Sequence, residues 1–151
     1  MASEASIEVL RKIFGDRFAE SYREMMTKAQ EIPQEKLEKI KQFALEAMRT
    51  AGSLHVKYDN LDVILVQAPA DPTKFPVVRT SAGNYKVGML WAGSKSMRGP
   101  FISVFTADRA EAERLAGTPH KFWLLVGKLQ ERQWGGDITY SFRAQGIVPL
   151  D

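Results

Sequence analysis

The sequence has no cysteine, which excludes disulfides, thiolate metal sites and cysteine nucleophiles together. Its two histidines, His55 and His120, stand in strand-like contexts with neither HExxH nor HxH spacing, so zinc lacks a ligand set. No apolar run approaches the roughly 20 residues that a bilayer demands, and no membrane span is expected. The opening Met1, Ala2, Ser3 and Glu4 carry no basic or apolar leader, so we read a cytoplasmic protein. Also missing are a Walker-type glycine loop, a GxGxxG after a strand and a GxSxG elbow. Asp59, Asp62 and Asp71 come nearest to an acidic cluster for magnesium. Asp59 falls in a turn and Asp71 in a proline loop, so both read as turn formers. No enzyme, cofactor or metal is expected. Only two Asn, with no Cys, suit a thermophile.

What remains is a globular composition: 151 residues, 44% hydrophobic and 26% charged, enough for the core of one domain over 1–151. The net charge of +3 is unevenly placed. Residues 1–50 hold nine Lys/Arg and nine Asp/Glu, whereas 51–151 hold twelve and nine and carry the whole excess. Residues 72–107 contain Lys74, Arg79, Lys86, Lys95 and Arg98 and no acid. Eleven of the fifteen aromatics, including all three Trp, also fall after residue 50. Basic and aromatic residues gathered in one part of a chain point to a polyanion partner.

The first part reads as helices. Ile7, Leu10, Ile13 and Phe14 follow helical spacing after Ser6, and Gly15 is a stop. Asp16 can cap a second helix with the stripe Phe18, Tyr22, Met25, Met26 and Ala29. Pro33 starts a third, with Leu37, Ile40, Ala44, Ala47, Met48 and Ala51 on one face before Gly52. These stripes are expected to be core. After Gly52 the period changes to 2, with Asp59-Asn60 as a turn and strands around 54–58 and 61–67. Residues 68–76, with three prolines, form a loop; strands follow at 85–92 and 100–106. Asp108 with Glu111 opens a short helix near 108–117, and two long strands, about 120–131 and 137–148, close the chain. Phe122 to Val126 is apolar on both faces, the mark of a strand covered on both sides. The expected fold is α+β: N-terminal helices (1–52) packed on an antiparallel sheet of about four to six strands (53–151).

The strand from Tyr85 to Trp91 alternates Tyr85, Val87, Met89 and Trp91 with Lys86, Gly88 and Leu90, and the next carries Phe101 and Phe105. Between them, Lys95 and Arg98 lie in a loop of Gly and Ser read as flexible. Unpaired nucleic acid needs this mixture, with cations for phosphates and flat rings for bases. A second patch joins Lys128, Arg132, Trp134 at its glycine turn, and Arg143. The candidate nucleic-acid-binding residues are Lys57, Arg79, Tyr85, Lys86, Trp91, Lys95, Arg98, Phe101, Lys128, Arg132, Trp134 and Arg143. Trp123, between apolar neighbours, is expected to be buried. The competing reading makes the aromatics core and the cations a wet face.

The run His120-Lys-Phe-Trp-Leu-Leu-Val-Gly-Lys-Leu-Gln-Glu-Arg132, a Gly-Gly turn, and Ile138-Thr-Tyr-Ser-Phe-Arg-Ala-Gln-Gly-Ile-Val148 resembles the closing hairpin of archaeal single-stranded-DNA-binding proteins. OB-fold proteins such as replication protein A have a similar cadence there, although a plain OB-fold starts with strands. In organisation, helices followed by a sheet with a basic-aromatic hairpin, the chain resembles the ThermoDBP family of thermophilic archaea. The resemblance implies single-stranded DNA binding without an OB-fold by a cytoplasmic, metal-free protein that self-associates into a homo-oligomer. The expected function is binding of single-stranded DNA or RNA with little sequence preference. The alternative is a protein-interaction or assembly module meeting its partner through Met25, Met26 and Met48.

Overall fold

The computed structural model describes residues 4–17, 19–20 and 32–150. Helix α1 is Glu4–Phe14, and helical residues 16–17 and 19–20 follow it. The second predicted stripe, from Phe18 through Ala29, lies outside the described residues apart from Ala19, which is buried, and Glu20. The core reading of the first stripe is corrected where it can be seen: Ile13 and Phe14 are 65% and 44% exposed.

Helix α2, Gln34–Ala51, has the boundaries that its flanking residues dictate. Pro33 is extended at its N-terminus, and Gly52 takes the left-handed conformation (φ 66°) and donates its amide to Met48 O at 2.8 Å. A residue with a Cβ would be disfavoured at that φ. Leu37, Ile40, Ala44 and Met48 fall on one face and are buried. Strand β1 (His55–Tyr58) turns into β2 (Leu61–Gln67) through Asp59 and Asn60, both at positive φ (52° and 66°). Two successive left-handed residues give a turn whose twist matches that of the strands. A single 3₁₀ turn, Pro72–Lys74, is capped by Asp71, whose Oδ1 accepts from the Thr73 amide at 3.0 Å. Strand β3, Val78–Arg79, was not expected. Next come β4 (Tyr85–Leu90), β5 (Phe101–Thr106) and α3 (Arg109–Gly117), with Asp108 Oδ1 accepting from the Ala110 amide at 2.9 Å. Strands β6 (Phe122–Trp134) and β7 (Asp137–Leu150) end the fold.

The sheet has seven strands in the order β1-β2-β6-β7-β5-β4-β3, larger than expected. It is also not wholly antiparallel, because β5 and β7 run parallel at Ser103–Ser141, Val104–Phe142 and Phe105–Arg143. A further pair, Gln67–Leu90, joins β2 to β4 and closes β2-β6-β7-β5-β4 into a ring. With α3 crossing between β5 and β6, this is the arrangement of a partly open five-stranded Greek-key barrel of the OB type. The helices that argued against such a barrel are added before it in the chain, and α2 packs on its outside.

Two cores result. Inside the barrel lie Ile64, Val66, Val87, Met89, Ile102, Val104, Trp123, Leu125 and Phe142, with Leu115 of α3. Between the barrel and α2 lie Leu37, Ile40, Ala44 and Met48 with Val63, Leu124, Val126 and Val148. Thus β6 is apolar on both faces because Trp123 and Leu125 point inward while Leu124 and Val126 meet the helix. Strand β7 needs a change of phase to serve both. Phe142 and Ala144 face the barrel interior, and so does Ile147; a bulge at Val126/Gly127 leaves Gln145 as the extra residue. Gly127 permits it, since a Cβ there would lie 1.9 Å from Arg143 O. Among the described residues, no helix is long and apolar enough to cross a membrane.

Candidate nucleic-acid interface

Helix α2 covers the outer barrel surface at Val63, Leu124, Val126 and Val148. Elsewhere the outward positions are Lys86, Gly88 and Leu90 on β4 and Phe101, Ser103 and Phe105 on β5, alternating with buried Val87, Met89, Ile102 and Val104. On the far hairpin they are Thr139, Ser141 and Arg143 of β7 and Lys128, Gln130 and Arg132 of β6. Pairing aligns them in rows. Lys86 is opposite Phe105, Phe105 is beside Arg143, and Arg143 is opposite Lys128. The next row is Gly88, Ser103, Ser141 and Gln130. None of these twelve outward positions is acidic. Among the described residues, no ion pair engages Lys86, Arg132 or Arg143.

At the β3 side of this face lies a groove of about 430 Å³ lined by Phe75, Val78, Lys86, Gly88, Arg98 and Phe101, among others. Phe75 lies across Gly88, where an added Cβ would be 3.0 Å from its ring. Its ring also packs against Phe101 at 5.2 Å between centroids, tilted by 35°. Phe101 remains 41% exposed. Two adjacent, partly exposed rings beside cations form a surface on which an unpaired base can stack.

The loop between β4 and β5 is tied by hydrogen bonds. Trp91 N donates to Pro100 O at 2.7 Å, Ser94 N to Trp91 O at 3.0 Å, and Ser96 N to Ser94 Oγ at 3.2 Å. The loop is not free of acid in space. Asp137, at the start of β7, accepts the Met97 amide at 3.0 Å and its own neighbour's amide, Ile138, at 2.8 Å. It also pairs with Arg98 Nε at 3.3 Å. The Met97 amide acts most strongly on Asp137. With the Ile138 amide, Arg98 and the Ser96 hydroxyl, it overcomes desolvation and holds the carboxyl below the usual range.

The predicted site residues divide accordingly. Lys86, Phe101, Lys128, Arg132 and Arg143 share the open face, and Arg98 borders its groove. Lys128 Nζ also donates to Asn60 O. Lys95 is exposed on the loop, its amide donating to Tyr140 Oη at 3.3 Å. Trp91 is corrected to core: it is 4% exposed, donates Nε1 to Leu54 O at 3.3 Å and meets Tyr140 edge-on. The absence of a Cβ at Gly93 makes room for that indole, since one would stand 2.6 Å from it. Arg79 and Tyr85 are paired opposite each other and alternate in phase with Val78 and Lys86, which puts them on the reverse side of the sheet. Lys57 is on β1, at the other end of the strand order, 3.9 Å from Asp62. The side chain of Trp134 lies outside the described residues. Trp123 is 2% exposed, as expected, beneath Arg114 and Lys121.

Phe75 and Val78 were missed because they lie in the proline-rich segment and in a two-residue strand. The glycine at 88, in the middle of a strand, was the one local sign that something approaches closely. Asp62 lies within β2. It takes the Leu129 amide at 2.9 Å where β6 outruns β2, with His55 Nε2 at 2.9 Å from its other oxygen. Burial raises its pKa, but the Leu129 amide, His55 and Lys57 together leave it lowered. No cluster of three metal-ligating side chains occurs among the described residues. In comparisons with known proteins, no family, curated protein or solved structure matches the chain.

Proposed function

We propose that this protein binds single-stranded nucleic acid, DNA foremost and RNA as a second substrate, with little sequence preference. The observation that carries the reading is the register placing Lys86, Phe105, Arg143 and Lys128 in one row across four strands of an acid-free face. The half-exposed Phe75–Phe101 pair adjoins that row. Cations at strand spacing neutralise successive phosphates, and the rings accept any base because every base has a π-face. Duplex bases are stacked on one another and cannot reach the rings. The proposal carries with it a cytoplasmic, non-enzymatic protein, without metal or cofactor, that self-associates into a homo-oligomer; the ThermoDBP resemblance implied binding without an OB-fold, and the barrel departs from it there.

An assembly module is the second reading, favoured by the exposed Val9, Ile13 and Phe14 of α1 and Phe43 and Leu45 of α2. Met48, one of the residues it relied on, is 8% exposed and packs from α2 against the barrel. Titrating fluorescent oligo-dT, oligo-rU and a duplex at physiological salt separates the readings. Unpaired strands should bind clearly better than duplex and weaken steeply with salt. Equal or tighter duplex binding refutes the proposal, and salt-insensitive self-association without oligonucleotide binding selects the assembly module.

A further inference from the structure

The loop from Gly93 to Gly99 and the start of β7 meet at one carboxylate, and its two oxygens have separate partners. Asp137 Oδ1 receives the Met97 amide at 3.0 Å, the Ile138 amide at 2.8 Å and the Ser96 hydroxyl at 3.5 Å. Among the described residues, the partner of Oδ2 is the Arg98 guanidinium, 3.3 Å away at its Nε. Two backbone amides, a hydroxyl and a guanidinium converging on one point make an anion cradle. Its present occupant is a side chain of the same chain. The Asp137 side chain is only 15% exposed, whereas that of Arg98 is 83% exposed and lines the groove beside Phe101.

We propose that Asp137 stands in for a phosphate, and that a nucleic-acid phosphate entering the groove takes Arg98 from it. This rests on the reading of the face as a binder of unpaired nucleic acid. Oδ1 keeps the loop folded in either state, because it holds Met97 and Ser96. Oδ2 alone sets whether Arg98 is available. The free protein therefore conceals one cation of its binding face, and weak anions do not capture it. Non-specific polyanion binding is held down because the Arg98–Asp137 pair must break first.

The separation of the two oxygens defines the test. Asp137→Asn retains an acceptor at the Oδ1 position and places an amide NH₂ toward Arg98, which frees the guanidinium while the loop stays tied. Oligo-dT affinity should rise roughly three- to tenfold at low salt, the worth of one charge-assisted contact at an exposed site. The slope of log affinity against log salt should match the parent's, because the phosphate takes Arg98 in both. Arg98→Gln should weaken the parent's binding, because it removes the contact the phosphate takes, and the double variant should match Arg98→Gln. If Asp137→Asn gains as much in the Arg98→Gln background, the effect is general charge and the proposal fails. It fails equally if Asp137→Asn binds no tighter. In the parent, saturation with oligo-dT should move the Arg98 Nε–H resonance and leave the Met97 amide protected from exchange; an unmoved Arg98 signal overturns the proposal without any variant. Should the parent not bind oligo-dT at all, the functional reading falls. Pyrophosphate added to Asp137→Asn then decides the cradle: a shifted Arg98 signal sustains it and an unmoved one removes it.

Discussion

Replacing Lys86, Arg132 and Arg143 together by Gln removes three cations from the open face while sparing the core. Each side chain is exposed, and Lys86 and Arg143 alternate with residues of the barrel interior. None joins an ion pair among the described residues, so no partner is left uncompensated. Stability should therefore stay within about 0.5 kcal/mol of the parent in denaturant unfolding. Binding should change much more. A single-stranded contact contributes about 0.7 to the slope of log affinity against log salt, so three contribute about 2. Between 50 and 200 mM salt, a fourfold change, each contact is worth about 2.6-fold and the three together about 18-fold. Anisotropy titrations of labelled oligo-dT across that range give the slope directly. Lys36, Lys39 and Lys41 on α2, replaced together by Gln, lower the net charge equally and serve as the control. A triple variant of the open face that keeps the parent's slope, or an α2 control that flattens it as much, would refute the placement of the interface.

Removing both rings of the groove, by Phe75→Ala with Phe101→Ala, should weaken oligonucleotide binding by about 1–3 kcal/mol for each base that loses its platform, read in the same titration. Trp91→Phe should leave oligo-dT binding unchanged while lowering the unfolding midpoint, because that indole is core; a loss of affinity would return Trp91 to the interface. Gly127→Ala should destabilise by about 1–3 kcal/mol or more, since the new Cβ meets backbone rather than a movable side chain. Trp123→Ala should cost about 3–5 kcal/mol in denaturant unfolding. With pH, Asp62 and Asp137 have lowered folded-state pKa values, so the stability they contribute is present above the unfolded carboxylate value near 3.9 and is lost as pH falls through the folded ones. Glu111 has the opposite sign: burial, and then Asp108, raise its pKa, so its contribution diminishes as pH rises from about 4.3 through the raised value. Asp62→Asn should flatten the acid limb of the stability curve and Glu111→Gln should remove the opposing trend; thermal melts from pH 3 to 7 measure both.

The parts of this protein legible in the chain are those decided by neighbours in sequence. Helix α2 was readable to its ends because Pro33 and Gly52 act through their own φ angles. The Asp59-Asn60 turn, the Asp108 cap and the double-sided apolar run at Phe122 to Val126 follow from local sterics, local hydrogen bonds and a period of two. The acid-free basic stretch and the strand alternation were likewise visible, and they brought Lys86 and Phe101 to notice. Alternation defines two faces of a strand but does not say which is the outside of a barrel. That depended on closure of the ring through Gln67 and Leu90, on the parallel pairing of β5 with β7, and on which part of the surface α2 covers. Trp91 therefore looked like an interface residue until the ring enclosed it, while Phe75 became one only by lying on Gly88. The same holds for charge. Lys95 and Arg98 have no acid within ten residues in either direction except Asp108 at Arg98's limit, yet Asp137, 39 positions beyond Arg98, lies at its guanidinium. Composition counts charges along the chain, whereas Coulomb interaction and hydrogen bonding depend on distance in space, and only the folded sheet sets that distance.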